Sequence, residues 1–118
     1  MPKDYREITK SISSTLSAYR TTQPDVMKAF NQLSAASLRA GALGEKTKEL
    51  IALAIGISGH CDACIGFHVQ TLVKLGVTRA ELEEALGVCV YMGGGPSLMY
   101  AADALSAFEQ YATDAVPA

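Results

Sequence analysis

Apolar residues recur along this chain at helical spacing, and no stretch alternates apolar and polar residues over a strand's length. Tyr5, Ile8, Ile12, Leu16 and Tyr19 place an amphipathic helix over about residues 4–20. Pro24 suits the first turn of a second helix, which carries Met27, Phe30, Leu33 and Leu38 and runs until Gly41. A third is expected from near Gly44 to Gly59, and a fourth from there to Gly76. Thr78 and Glu81 then have the spacing of a capping box that opens a fifth. Gly93-Gly94-Gly95-Pro96 interrupts the pattern, so a sixth helix starts at Pro96 or Ser97 and carries Leu98, Ala101, Ala102, Leu105 and Phe108. The pattern predicts an all-α bundle of about six helices, with short connections and antiparallel neighbours.

Two of these helices are too apolar for a surface position. Leu50 to Ile57 is apolar all round and Leu86 to Met92 nearly so, which means that each needs neighbours on several sides. A homo-oligomer supplies them most simply; the alternative is that one of the two is central in its own bundle. Tyr91, Met92, Met99 and Tyr100, near the glycine run, read as core residues more readily than as the lining of a site.

Length and charge narrow the function. A chain of 118 residues is expected to form one domain over residues 1–118. A net charge of −2 leaves no basic surface for nucleic acid or an anionic membrane. Met1 to Glu7 is charged, and no later apolar run reaches membrane-spanning length, so a cytoplasmic protein is expected. In such a reducing compartment three cysteines are an odd number for a disulfide framework, and the spacing Cys61-Asp62-Ala63-Cys64 points to redox chemistry or metal binding. Cys89, inside Leu86 to Met92, is expected to be a small core residue.

Cys61, Cys64 and His68 fall within an arc of about 60° on one helix. Ser58-Gly59-His60 interrupts the preceding apolar run, so both cysteines should lie in a first turn, where unpaired N–H groups and the helix dipole favour a thiolate. His60 is expected to serve helix entry. Should the third and fourth helices fold back on each other near residue 60, Glu49 and His68 lie at nearly matched axial distances from the turn, about 15 Å against 12 Å. The carboxylate would then fix the imidazole tautomer and raise its basicity toward a cysteine. The competing reading makes Glu45, Lys46, Lys48 and Glu49 only the solvated first turns of a helix. Two thiolates, an imidazole and a carboxylate are also acceptable zinc ligands, so a structural metal site or a plain scaffold stays open on the residues alone.

The run Glu49 to Ala54, followed by Cys61-Asp62-Ala63-Cys64-Ile65-Gly66-Phe67-His68, resembles the carboxymuconolactone decarboxylase superfamily and, within it, the AhpD-like alkylhydroperoxidases. The resemblance covers roughly residues 25–112, including Leu75-Gly76-Val77-Thr78 and Gly93-Gly94-Gly95-Pro96-Ser97. It implies an all-helical protomer in trimers or hexamers, and a reducing site made of Glu49, Cys61, Cys64 and His68 that uses neither cofactor nor metal. One thiolate would attack a hydroperoxide, the second thiol would close a Cys61–Cys64 disulfide, and a lipoyl carrier or another dithiol protein would reopen it. The chain departs from the best-studied enzymes at Ala63, where they carry a histidine, so the relay is expected to rest on Glu49 and His68, aided by His60. Its short length favours a hexamer over a trimer. The superfamily's founding branch, which typically lacks the cysteine pair, implies the alternative of a non-redox decarboxylase acting on a small carboxylated lactone.

Overall fold

The computed structural model describes residues 3–115 and contains, in chain order, α1 (Tyr5–Thr22), α2 (Pro24–Leu38), α3 (Glu45–Ser58), α4 (Asp62–Lys74) and α5 (Arg79–Ala115), with no strand among the described residues. The all-α expectation holds, and the count of about six becomes five because the two helical segments that meet at Gly94 follow one another with no loop between them. The glycine run bends a helix without opening a loop: within α5 only Gly94, at φ 71° and ψ −152°, leaves helical geometry, and the helix resumes on its far side. A side chain there would meet its own backbone, which is why the bend falls on a glycine. The second helix ends at Leu38 and stops short of Gly41, because Arg39 already has an extended backbone.

The other boundaries follow their expected causes. Asp4 caps α1 by accepting from the N–H groups of Arg6 and Glu7. Pro24 opens α2, and Gly44 precedes α3. Thr78 and Glu81 form the reciprocal box, Thr78 N–H donating to Glu81 at 2.9 Å and Glu81 N–H to the Thr78 hydroxyl at 3.1 Å.

The core is centred on α4, whose Ile65, Val69 and Leu72 are fully buried against α3, α5 and the first turns of α1. Leu53 and Ile57 of α3 and Leu82 of α5 close it. Burying each of these side chains contributes about 1.5–3 kcal/mol. Tyr5 docks α1 on this core: its carbonyl accepts from the Tyr111 hydroxyl at 3.0 Å, and its N–H donates to Gln110 at 2.7 Å. Beyond that anchor the chain stands away, since no side chain between Lys10 and Val26 is buried. The radius of gyration, 14.7 Å, accordingly exceeds the ~13 Å of a compact chain of this length.

Much apolar surface is left uncovered in a single chain. Ile51 and Ile55 of α3 and Val88 and Met92 of α5 line one open groove, with Met92 76% exposed. Tyr91 is 84% exposed and Met99 is also exposed, which, with Met92, corrects their assignment to the core: they lie on helix faces that nothing among the described residues covers. Tyr100 is half-buried.

Candidate active site at the start of the fourth helix

The cysteine pair is placed by the way α3 stops. His60 N–H donates to the carbonyl of Ile57 at 3.1 Å, and Cys61 N–H to that of Gly56 at 3.0 Å, the two bonds of a Schellman turn. This geometry puts His60 in the left-handed region at φ 53°, a conformation uncommon for a residue with a side chain. Cys61 therefore leaves α3 already anchored, and its backbone turns extended to become the N-cap of α4. Its sulfur accepts the N–H of Cys64 at 3.1 Å, the role an oxygen plays in most caps. The two sulfurs are joined in a disulfide with the Cα atoms 5.2 Å apart. Gly56 makes room for them: a Cβ built on it would lie 3.0 Å from the Cβ of Cys64.

His68 follows one turn after Cys64, and across the α3–α4 hairpin its Nδ1 lies 2.6 Å from Oε2 of Glu49. An ionised carboxylate only accepts, so Nδ1 is the donor in this contact, and in a neutral imidazole so held the free lone pair is the one on Nε2. Glu49 is nearly buried, with 7% of its side chain exposed against 28% for His68. Its neighbours differ: Glu45 is exposed, Lys46 pairs with Glu81 at 2.8 Å, and Lys48 donates to the Arg39 carbonyl. Of the four charges at the start of α3, Glu49 alone is turned inward, toward the imidazole.

A second set of groups surrounds Asp62, the residue next to Cys61. The Lys3 ammonium donates to Oδ1 of Asp62 and to Oδ2 of Asp103, each at 2.8 Å. The Tyr5 hydroxyl donates to the same Asp62 oxygen at 3.1 Å. Lys3 also lies 5.1 Å from the centre of the Tyr100 ring, on which the His60 ring stacks at 4.8 Å and an interplanar angle of 1°. The hydrogen bonds to Asp103 and Asp62 hold the Lys3 ammonium well above the ordinary lysine range, and burial pushes the Tyr5 phenol up. Only Asp62 of this set lies within the sequence motif. Lys3 is 59 residues from Asp62 and 100 from Asp103, and no spacing rule reaches so far.

Cys89 is a buried, unpaired thiol whose hydrogen goes to the carbonyl of Ala85, and burial pushes its pKa up. It has the surroundings of an inert packing residue. Among the described residues no group of three or more His, Cys, Asp and Glu side chains gathers closely enough to hold a metal ion. No helix among them is long and apolar enough to cross a membrane.

Comparison with known proteins agrees with this architecture. A crystal structure of a carboxymuconolactone decarboxylase family protein from Legionella pneumophila superposes with a TM-score of 0.90 at 55% identity, covering 92% of this chain and 96% of that one. A family member from Thermotoga maritima, for which a part in the antioxidative response has been suggested, gives a TM-score of 0.66 at 33% identity over 71% of this chain and 87% of its own. An uncharacterised protein of Cupriavidus necator is 36% identical over 109 residues, 92% of this chain and 96% of the relative. The model of the carboxymuconolactone decarboxylase family matches residues 24–107, a span that holds the α3–α4 hairpin, both paired cysteines and the Glu49–His68 contact, and the chain belongs to that family.

Proposed function

We propose that this protein is a dithiol oxidoreductase that reduces organic hydroperoxides, in the manner of the AhpD-like enzymes. The observation that carries the reading is the cysteine pair closed on itself at a helix start, with an imidazole one turn after Cys64 whose Nδ1 is held by a nearly buried carboxylate. A thiolate of the pair attacks the O–O bond of the hydroperoxide; the alkoxide leaves with a proton as the alcohol, and the sulfur becomes a sulfenic acid. The second thiol displaces water from it and forms the Cys61–Cys64 disulfide. His68, oriented by Glu49, takes the thiol proton and returns it to the leaving oxygen. An external dithiol or lipoyl-type carrier then exchanges its two thiols for the disulfide and is itself oxidised. The suggested antioxidative role of the Thermotoga relative points the same way.

The reading includes a homo-oligomer, a hexamer in preference to a trimer. The uncovered apolar faces of α3 and α5, with Ile55 68% exposed, are the surfaces it would bury. Light scattering on the purified protein checks this, and a monomer at micromolar concentration would overturn it.

The chemical test is to treat reduced protein with one equivalent of cumene hydroperoxide, alkylate it and map the thiols by mass spectrometry. The expected product has Cys61 bonded to Cys64 and Cys89 alkylatable only after unfolding. Cys61→Ser and Cys64→Ser each abolish turnover, His68→Ala and Glu49→Gln weaken it, and a sulfenic acid trapped on one serine variant names the attacking sulfur. Full turnover by both serine variants overturns the proposal, and conversion of a carboxymuconolactone by the doubly substituted chain would favour the family's decarboxylase branch.

A further inference from the structure

Asp62 is an awkward neighbour for a reactive thiol. It occupies the first helical position of α4, where a carboxylate suits the helix dipole, yet it lies between the two cysteines in sequence. A negative charge there opposes the formation of a second one on sulfur and so raises the thiol pKa. The same α4 N-terminus that favours a thiolate therefore carries a group that works against it. The titratable groups on the elements that meet around the start of α4 are Glu49 from α3, His60 from the turn, Asp62 and His68 from α4, Lys3 and Tyr5 from the start of the described chain, and Tyr100 and Asp103 from α5. Lys3 is the one among them that carries a permanent positive charge at neutral pH.

Its placement is specific. One ammonium spans two carboxylates from different helices at 2.8 Å each, while Tyr5 adds a hydrogen bond that holds the same Asp62 oxygen on the α1 side. The aromatic ring against which Lys3 lies is also the ring that carries His60, the residue immediately before Cys61. We propose that Lys3 is a positioning residue for the cysteine pair: by clamping Asp62 to Asp103 it offsets the carboxylate beside Cys61 and keeps a thiolate populated at neutral pH. This rests on the dithiol reading above and deepens it, assigning to a residue far away in sequence the electrostatic tuning of the reactive sulfurs.

Removing the clamp leaves two carboxylates with no counter-charge. Lys3→Gln should raise the pKa of the more acidic thiol of the reduced pair by about 0.5–1. For a thiol that titrates near neutrality, the thiolate fraction near pH 7, and with it the rate of alkylation by iodoacetamide, should fall roughly two- to fivefold. Lys3→Arg keeps the charge and should keep the native profile. Lys3→Gln combined with Asp62→Asn restores the net charge of the cluster and should return the pKa to within about 0.3 of the native value. Lys3, Asp62 and Asp103 are all about one-third exposed, so the shift should also shrink in 1 M salt.

The measurement is the pH profile of iodoacetamide labelling of the peptides containing Cys61 and Cys64, followed by mass spectrometry. It needs no peroxide, so it separates the two ideas: a native chain that labels readily but consumes no hydroperoxide refutes the peroxidase reading and leaves the clamp standing. An unchanged profile in Lys3→Gln overturns the clamp. A shift that survives in the double variant overturns it as well, because the effect would then come from a displaced backbone rather than from charge.

Discussion

The turns that end α3 and α4 are closed by the same two backbone bonds but are filled by different residues. After α4, Gly76 donates to Val73 at 3.1 Å and Val77 to Leu72 at 3.0 Å, and the left-handed position is Gly76 at φ 80°. After α3 the corresponding donors are His60 and Cys61, and the left-handed position is a histidine. A glycine is close at hand, since Gly59 precedes it, yet Gly59 takes an ordinary φ of −83°. The histidine costs roughly 1 kcal/mol of backbone strain that a glycine would not. Against that cost stands its ring, stacked on Tyr100, a contact worth about 0.5–1.5 kcal/mol. The α4–α5 turn is only a connector. The α3–α4 turn delivers Cys61, and there strain and stacking together fix the residue from which the helix of the cysteine pair starts.

The comparison breaks most sharply at Gly56. Gly56→Ala puts a methyl group 3.0 Å from the Cβ of Cys64, so α3 and α4 must part by a few tenths of an ångström or the cysteine must shift. A loss of about 1–3 kcal/mol is expected in urea unfolding, together with slower closure of the disulfide after one equivalent of peroxide. A variant of native stability and native closure rate would mean that the close approach has no bearing on the site.

Exchanging the residues in the two left-handed positions has a smaller and opposite effect. Gly76→Ala meets no atom within 4 Å, so its whole cost is the backbone, about 1 kcal/mol, with thiol chemistry unchanged. His60→Gly relieves the strain but loses the stack, and its stability should stay within about 0.5 kcal/mol of native. Its thiol labelling should change nonetheless, because the residue before Cys61 is no longer held to α5. Thermal unfolding paired with iodoacetamide kinetics separates the two variants. If His60→Gly labels as the native protein does, the histidine is only a helix-ending residue.

How far the sequence disclosed these features depends on the range over which each is encoded. The Thr78–Glu81 box, the start of α2 at Pro24 and the end of α3 are local, and each was readable from a few neighbouring residues. The Glu49–His68 contact spans 19 residues, yet it was accessible because one hairpin and the helical rise fix the partners. The glycine run announced a break, but residue types alone do not distinguish a kink at Gly94 from a loop between two helices. Tyr91, Met92 and Met99 were misplaced because helical spacing identifies an apolar face without saying whether the same chain covers it. The meeting of Lys3, Tyr5 and Asp103 with Asp62 was invisible, and Tyr100 was weighed only as core or lining, because their contacts are decided by the docking of the start of the chain on α4 and α5 and leave no periodic trace.

The smallest effect lies at the start of α5 and concerns acid. Glu81 is held below the ordinary carboxylate range first by the hydrogen bond from Lys46 and then by the Thr78 N–H. A group whose folded pKa is depressed adds stability that is fully present above its unfolded value, near 4.5, and is lost as pH falls through the lower folded value. The melting temperature should therefore decline below about pH 4.5, and Glu81→Gln should make that decline shallower while slightly lowering the melting temperature at pH 7. Thiol labelling should be unaffected at every pH, since Glu81 serves the connector turn and not the one that carries Cys61. A labelling profile that moves with Glu81→Gln would show that the two ends of α4 are coupled, and the division between a structural and a chemical turn would have to be given up.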